Sequence, residues 1–236
     1  MTEILGVLGG MGPLATVDFM GKVVALTPAD GDIDHIPMVV TSDPRIPDRI
    51  APILHGKGTP PSEALQEKAA FLQGAGATFI AMPCNTAHHW YDDIVGACSV
   101  PVLHIADAAA DALGAMQLAP RKIAILATAA TLVARIYHDR LAAGGFDCRE
   151  PDAAVMEGMV LPGIALVKKG DLASAARLFQ AAIAGQLDAG ADVVLLACTE
   201  VPPALAADDP LAAYCLDATE ALAQATVDWY RARKPD

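Results

Sequence analysis

Apolar positions fall along this chain in short runs, each bounded by glycine, proline or charge. The first, Ile4-Leu5-Gly6-Val7-Leu8, enters Gly9-Gly10-Met11-Gly12-Pro13, after which a helical pattern continues to about Leu26. A short continuous apolar run predicts a buried strand, and the glycines and proline predict a turn into a helix. Pro37 to Thr41 reads as a second strand, followed by a loop from Asp43 to Pro61. Ser62 caps a predicted helix that runs to about Gln73 and ends at Gly74 to Gly76. Phe79 to Met82 predicts a strand entering Cys84, with a helix through His88 to Val95 behind it, and Val100 to Ile105 predicts a further strand or crossover. In the second half, Lys122 to Leu126 reads as a strand, and a helix follows the Ala127 to Thr131 segment to about Ala142. Asp171 caps a helix with Leu172, Ala175, Ala176, Phe179, Ala182 and Ile183 on one face. Gly190 closes that helix, Val193 to Leu196 leads to Cys198, and Leu211 to Arg233 reads as helical.

Strands alternating with helices predict parallel sheets. Both halves open strand-loop-helix and close helix-glycine-strand-cysteine, and the repeat is nearly literal. Residues 75–84 read Ala-Gly-Ala-Thr-Phe-Ile-Ala-Met-Pro-Cys, and 189–198 read Ala-Gly-Ala-Asp-Val-Val-Leu-Leu-Ala-Cys. The expected fold is α/β, with two similar parallel-sheet subdomains related by a pseudo-twofold. The first is residues 1–100, with 212–236 packing on it, and the second is 101–211. Ligands bind at the carboxyl ends of parallel strands. Cys84 and Cys198 both sit at such ends, so a cleft between the subdomains would carry one thiol on each wall.

Composition narrows the function classes. Of 236 residues, 54% are hydrophobic and 19% charged, as in a folded globular protein. A net charge of −12 repels phosphate backbones and anionic lipid, which argues against nucleic-acid and membrane partners. The apolar runs break well before the roughly 18 residues of a membrane helix, and Met1-Thr2-Glu3 lacks the basic region of a secretory signal. Five cysteines without Cys-x-x-Cys or zinc spacing, and six histidines without His-Glu-x-x-His, point to a reduced cytoplasmic setting and no metal.

The chemistry rests on the paired thiols. A cysteine becomes a useful base when a helix N-terminus or hydrogen bonds favour its thiolate. Cys84 precedes Asn85-Thr86, and Cys198 precedes Thr199-Glu200 and Pro202-Pro203. Backbone amides there, with Asn85, Thr86, Thr128 and Thr199, suit a carboxylate. One thiolate would take an α-proton and the opposite thiol would return one. A single cysteine after an apolar strand is ordinarily a buried small hydrophobe; two at matched positions, each followed by polar residues, point to function. Cys98, Cys148 and Cys215 have no such match and read as packing or surface thiols. His88 and His89 could be ligands or proton carriers, with capping or surface roles as the default. Arg45, Arg49, Lys168 and Lys169 are the cations available to an acidic substrate. Gly10-x-Gly12-x-x-Ala15 with Asp43 also fits a dinucleotide fingerprint, but that leaves the paired cysteines unexplained.

Four motifs together resemble the PLP-independent aspartate/glutamate racemase family. They are Leu8-Gly9-Gly10-Met11-Gly12-Pro13-Leu14-Ala15-Thr16, Ile46-Pro47-Asp48-Arg49, Met82-Pro83-Cys84-Asn85-Thr86-Ala87-His88 and Ala197-Cys198-Thr199-Glu200, spread over nearly the full chain. The resemblance implies two α/β halves with the active site between them, a homodimer, and no cofactor. It implies Cys84 and Cys198 as catalytic bases, with Met11, Asn85, Thr86, Thr128, Thr199 and Glu200 around the substrate. Arg49 matches the arginine reaching a side-chain carboxylate, and Lys168 looks like the second cation, with Lys169 as the alternative. Cys-Thr-Glu at the second thiol is similar to the aspartate branch, so aspartate is the expected substrate. Broad-specificity and glutamate racemases, a dicarboxylate decarboxylase or isomerase, an acidic-metabolite binder and a thiol–disulfide protein are the alternatives.

Overall fold

The computed structural model describes residues 3–116, 118–206 and 208–233. The chain forms two units: the first runs to Ala108 and resumes at Thr219, and the second spans Ala109–Ala218. The first contains β1 (Leu5–Gly9), α1 (Pro13–Leu26), β2 (Met38–Ser42), α2 (Ile50–His55), α3 (Ser62–Gly74), β3 (Phe79–Ala81), α4 (Tyr91–Gly96), β4 (Val102–Leu103) and the first turn of α5 (Ile105–Ala115). Its sheet is parallel in the order β2-β1-β3-β4. Both central strands, β1 and β3, are buried along their whole length, as a parallel sheet covered on both faces requires.

The second unit contains β5 (Lys122–Ala127), α6 (Ala129–Val133), α7 (His138–Ala143), β6 (Asp147–Arg149), α8 (Ala153–Val155), α9 (Leu161–Lys168), α10 (Leu172–Asp188), β7 (Val193–Ala197) and β8 (Cys215–Asp217). A π-helical turn, Met156–Val160, joins α8 to α9. The sheet order is β6-β5-β7-β8, again all parallel, so each unit repeats the other's strand sequence. The last helix, α11 (Ala218–Arg231), stacks Trp229 on Phe79 of β3 with ring centroids 4.0 Å apart.

Most predicted strands fall within a residue or two of the observed ones, and the departures have local causes. The tail is not helical from Leu211. Pro210–Tyr214 is a 3₁₀ turn whose Leu211 amide donates to Asp209, and Cys215–Asp217 pairs with Val194–Leu196 before α11 begins. The helix expected to reach Ala142 breaks at Arg135, which has φ +54°. The loop after Asp43 holds α2, where the Asp48 carboxylate accepts the Ala51 amide at 2.7 Å. Ser62 is the first residue of α3 and not its cap; its hydroxyl donates to Asp93, tying α3 to α4. Asp171 does cap α10, accepting from the Ser174 amide at 3.1 Å.

The turn after β1 explains its glycines without a nucleotide. Thr16 Oγ1 accepts the Gly10 amide at 2.8 Å and donates to the Gly12 carbonyl at 3.2 Å. A Cβ on Gly9 would lie 2.5 Å from Thr16 Oγ1, and one on Gly10, at φ +97°, would lie 2.6 Å from the Asp43 carbonyl oxygen. Close backbone approach is therefore what this turn demands. Asp43, the acidic residue a ribose would need, is bound by Arg45 at 2.8 and 2.9 Å and by Lys68 at 3.3 Å. Those cations hold its carboxyl well below the usual range.

Candidate active site

In the first unit, β3 delivers Cys84 through Met82-Pro83, and the Cys84 amide donates to the Met82 carbonyl at 2.8 Å. The Cys84 side chain is 5% exposed and shares one apolar cluster with Met11, Ile46, Met82 and Ala87. Three sequence motifs, the β1 turn, the Ile46–Arg49 segment and the residues around Cys84, therefore converge here. Asn85 and Thr86 are buried beside the thiol in the chain. Arg49, half-buried at the start of α2, donates from Nη1 to the Ile46 and Pro47 carbonyls at 3.3 and 3.1 Å.

His88 is neither on the surface nor a cap of its own helix, contrary to the default reading. It is buried, with Nδ1 2.9 Å from the Cys84 carbonyl, while Nε2 accepts the Ile105 amide at 3.2 Å. Accepting at Nε2 places the ring proton on Nδ1, where it is donated to Cys84: the imidazole is neutral. His88 thus links the thiol's loop to the start of α5. His104 accepts the Ala106 amide on Nδ1 at 3.1 Å and meets His88 edge-on at 4.6 Å. Two imidazoles therefore satisfy amides in the first turn of α5, a role no sequence motif announces.

In the second unit, Cys198 follows β7 and is 2% exposed. Its thiol donates to Glu200 Oε2 at 3.1 Å, and Thr199 Oγ1 donates to the same oxygen at 3.4 Å. Burial, and then the Glu200 charge, push the Cys198 thiol well above its ordinary range, while Lys168 at the end of α9 pulls it the other way. The pairing of Ala127 with Ala197 sets Thr128 beside Cys198 at the strand ends. Thr128 caps α6, its Oγ1 accepting the Thr131 amide at 3.2 Å. Lys168 and Lys169 are both exposed.

The other thiols lie in different surroundings. Cys98 Sγ donates to the Ile94 carbonyl at 3.4 Å. Burial and Asp147 push Cys148 up to about 11, and burial with Asp209 and Asp217 pushes Cys215 up to about 12. Among the described residues no group of three or more metal-ligating side chains is close enough to hold an ion, and no helix is long and apolar enough to cross a membrane.

The family model described as Asp/Glu/hydantoin racemase matches residues 8–226. The broad specificity amino-acid racemase RacX of Bacillus subtilis (strain 168) is 30% identical, over 97% of this chain and 99% of its own. The solved aspartate racemase of Picrophilus torridus is 32% identical with a TM-score of 0.85, covering 97% of this chain and 94% of that one. A Francisella tularensis glutamate racemase in complex with D-glutamate is 14% identical with a TM-score of 0.65, over 97% of this chain and 81% of that one. At that identity the likeness is one of fold.

Proposed function

This chain belongs to the Asp/Glu/hydantoin racemase family, and we propose that it interconverts the enantiomers of an acidic amino acid, aspartate foremost, by a cofactor-independent two-base mechanism in the cytoplasm. It is an isomerase of the racemase type. The observation that carries the finer reading is the pair of buried thiols, Cys84 and Cys198, at equivalent strand ends of two units with the same strand order. One thiolate removes the Cα proton, and the other thiol returns a proton to the opposite face. Asn85, Thr86, Thr128 and Thr199, with nearby backbone amides, hold the α-carboxylate. Arg49 and Lys168 supply the positive charge that an acidic side chain needs in a protein of net charge −12, and Met11 packs beside the substrate.

Aspartate is favoured by the likeness to the Picrophilus torridus enzyme and by Glu200 after Cys198-Thr199. The full-length likeness to RacX supports a second reading, a broad-specificity racemase. Chiral chromatography of a panel of amino acids, incubated without added cofactor, separates the two. Aspartate racemised well ahead of alanine supports the first; comparable rates across neutral side chains support the second. Loss of carbon dioxide or cis–trans isomerisation in place of racemisation would identify a sister reaction. A panel left inert would remove the enzymatic reading.

Arg49→Ala raises the KM for aspartate about tenfold or more, the value of one charged hydrogen bond, and leaves alanine turnover unchanged. Steady-state kinetics on both substrates checks this. Equal loss on both would show that Arg49 does not read the side chain.

A homodimer is also proposed. Helix α1 buries Ala15, Thr16, Phe19 and Val23 against its own unit, yet its opposite face is apolar too. Leu14, Val17 and Val24 are 49, 65 and 47% exposed, in line with exposed Gly21, and the adjacent charges Asp18 and Lys22 pair with each other at 2.6 Å. A helix apolar on both faces is buried on both. A second copy's α1 suits this stripe, because an antiparallel pairing sets Asp18 and Lys22 of one copy near Lys22 and Asp18 of the other. Val17→Glu converts the protein to a monomer in light scattering with its melting temperature little changed; an unaltered dimer would exclude this face.

A further inference from the structure

The geometry points to Glu200 as the residue that keeps Cys198 in its proton-bearing form, so that Cys198 is the donor of the resting enzyme and Cys84 the base that takes the first α-proton. This assignment rests on the two-base reading above.

The 3.1 Å contact between Cys198 Sγ and Glu200 Oε2 is a hydrogen bond only while sulfur carries its proton. A thiolate there would face a carboxylate at the same distance. With Cys198 only 2% exposed, water screens that repulsion poorly. Thr199 Oγ1 donates to the same carboxylate oxygen, which ties that oxygen to the loop beside the thiol. Among the described residues, burial and the Glu200 carboxylate, two residues along the same loop, favour the thiol, while the Glu200 backbone amide and Lys168, from α9, pull toward thiolate. A bound acidic substrate that engages Lys168 weakens the pull toward thiolate and leaves the pull from Glu200 in force.

The protons balance. The Cys84 thiolate takes the Cα proton and becomes a thiol, and Cys198 gives its proton to the opposite face and becomes a thiolate beside Glu200. The opposite enantiomer runs the same steps backwards. Alternatively, the product leaves, Cys198 takes a proton from solvent and Cys84 loses one to it. The thiolate–carboxylate pair is the costly state of the cycle, so the form with Cys198 protonated accumulates. Glu200 acts through Cys198 and is a positioning residue.

Glu200→Gln keeps the shape and removes the charge. In this variant the alkaline fall of kcat/KM, where the donor thiol is lost, moves to lower pH by about one unit or more. Alkylation of Cys198 by iodoacetamide at neutral pH, read peptide by peptide in a mass spectrometer, becomes about tenfold faster, the change in thiolate fraction for one unit. Glu200→Asp retains a carboxylate and keeps both readouts near those of the unaltered protein. Racemisation with an unshifted alkaline limb and unchanged alkylation in Glu200→Gln would overturn the assignment. An alkylation shift in a protein that racemises nothing would overturn the racemase reading, and the donor role with it.

Discussion

Cys84→Ala lowers racemisation about a thousandfold or more, and Cys198→Ala does the same, while both variants stay folded. A positioned acid or base contributes roughly 10²–10⁴ to rate, and full racemisation needs one of each on every turnover. Each sulfur follows a strand whose residues are themselves buried, Cys198 directly after Val193–Ala197 and Cys84 after Phe79–Ala81 and the Met82-Pro83 link. The strands therefore hold their places by their own packing and pairing, and loss of one Sγ leaves a small void. Chiral chromatography of aspartate, with thermal melts of each variant, checks the prediction. Full activity in either would remove that sulfur from the mechanism. His88, bonded to the carbonyl of Cys84 and to the amide of Ile105, holds the first thiol's loop in place.

Gly10→Ala destabilises the protein by about 3 kcal/mol, from a strained positive φ and a Cβ forced against backbone that cannot yield. That Cβ would sit 2.6 Å from both the carbonyl carbon and the oxygen of Asp43, where β2 runs into the Arg45–Arg49 loop. For a chain of this size the melting temperature falls by roughly 6–12 °C. Met11 adjoins the turn and Ile46 lies in the displaced loop, and both pack with Cys84, so activity falls along with stability. Gly185→Ala gives the opposite sign: nothing lies within 4 Å of its Cβ in α10, and the gain in helix propensity stabilises slightly. Calorimetry on the two variants reads the contrast. An unchanged melt for Gly10→Ala would show that the turn has slack that its contacts do not suggest.

What was legible in the sequence follows from where the physics is local. Continuous apolar runs such as Leu5–Leu8 and Val193–Leu196 announce strands buried on both faces, and the repeated Ala-Gly-Ala followed by strand and cysteine announces the duplicated unit. Strand β8 was hidden, because Cys215–Asp217 becomes a strand by pairing with β7 and has no apolar run of its own. Helix α2 was hidden by proline and by a carboxylate hydrogen bond. The matched positions of Cys84 and Cys198 after buried strands were legible from spacing. The hydrogen bonds of His88 and Glu200 were not: one is set by the start of α5, seventeen residues away along the chain, and the other by which atom receives the Cys198 proton.

The central claim is proton exchange at Cα by two bases, and isotope tracing tests it most directly. L-aspartate is incubated with the protein in deuterated water, and the two enantiomers are separated and weighed early in the reaction. Two bases predict D-aspartate carrying deuterium at Cα while the remaining L-aspartate stays protiated, because the proton removed and the deuteron delivered belong to different sulfurs. Deuterium entering both enantiomers equally from the start, or D-aspartate that retains the original hydrogen, would contradict it.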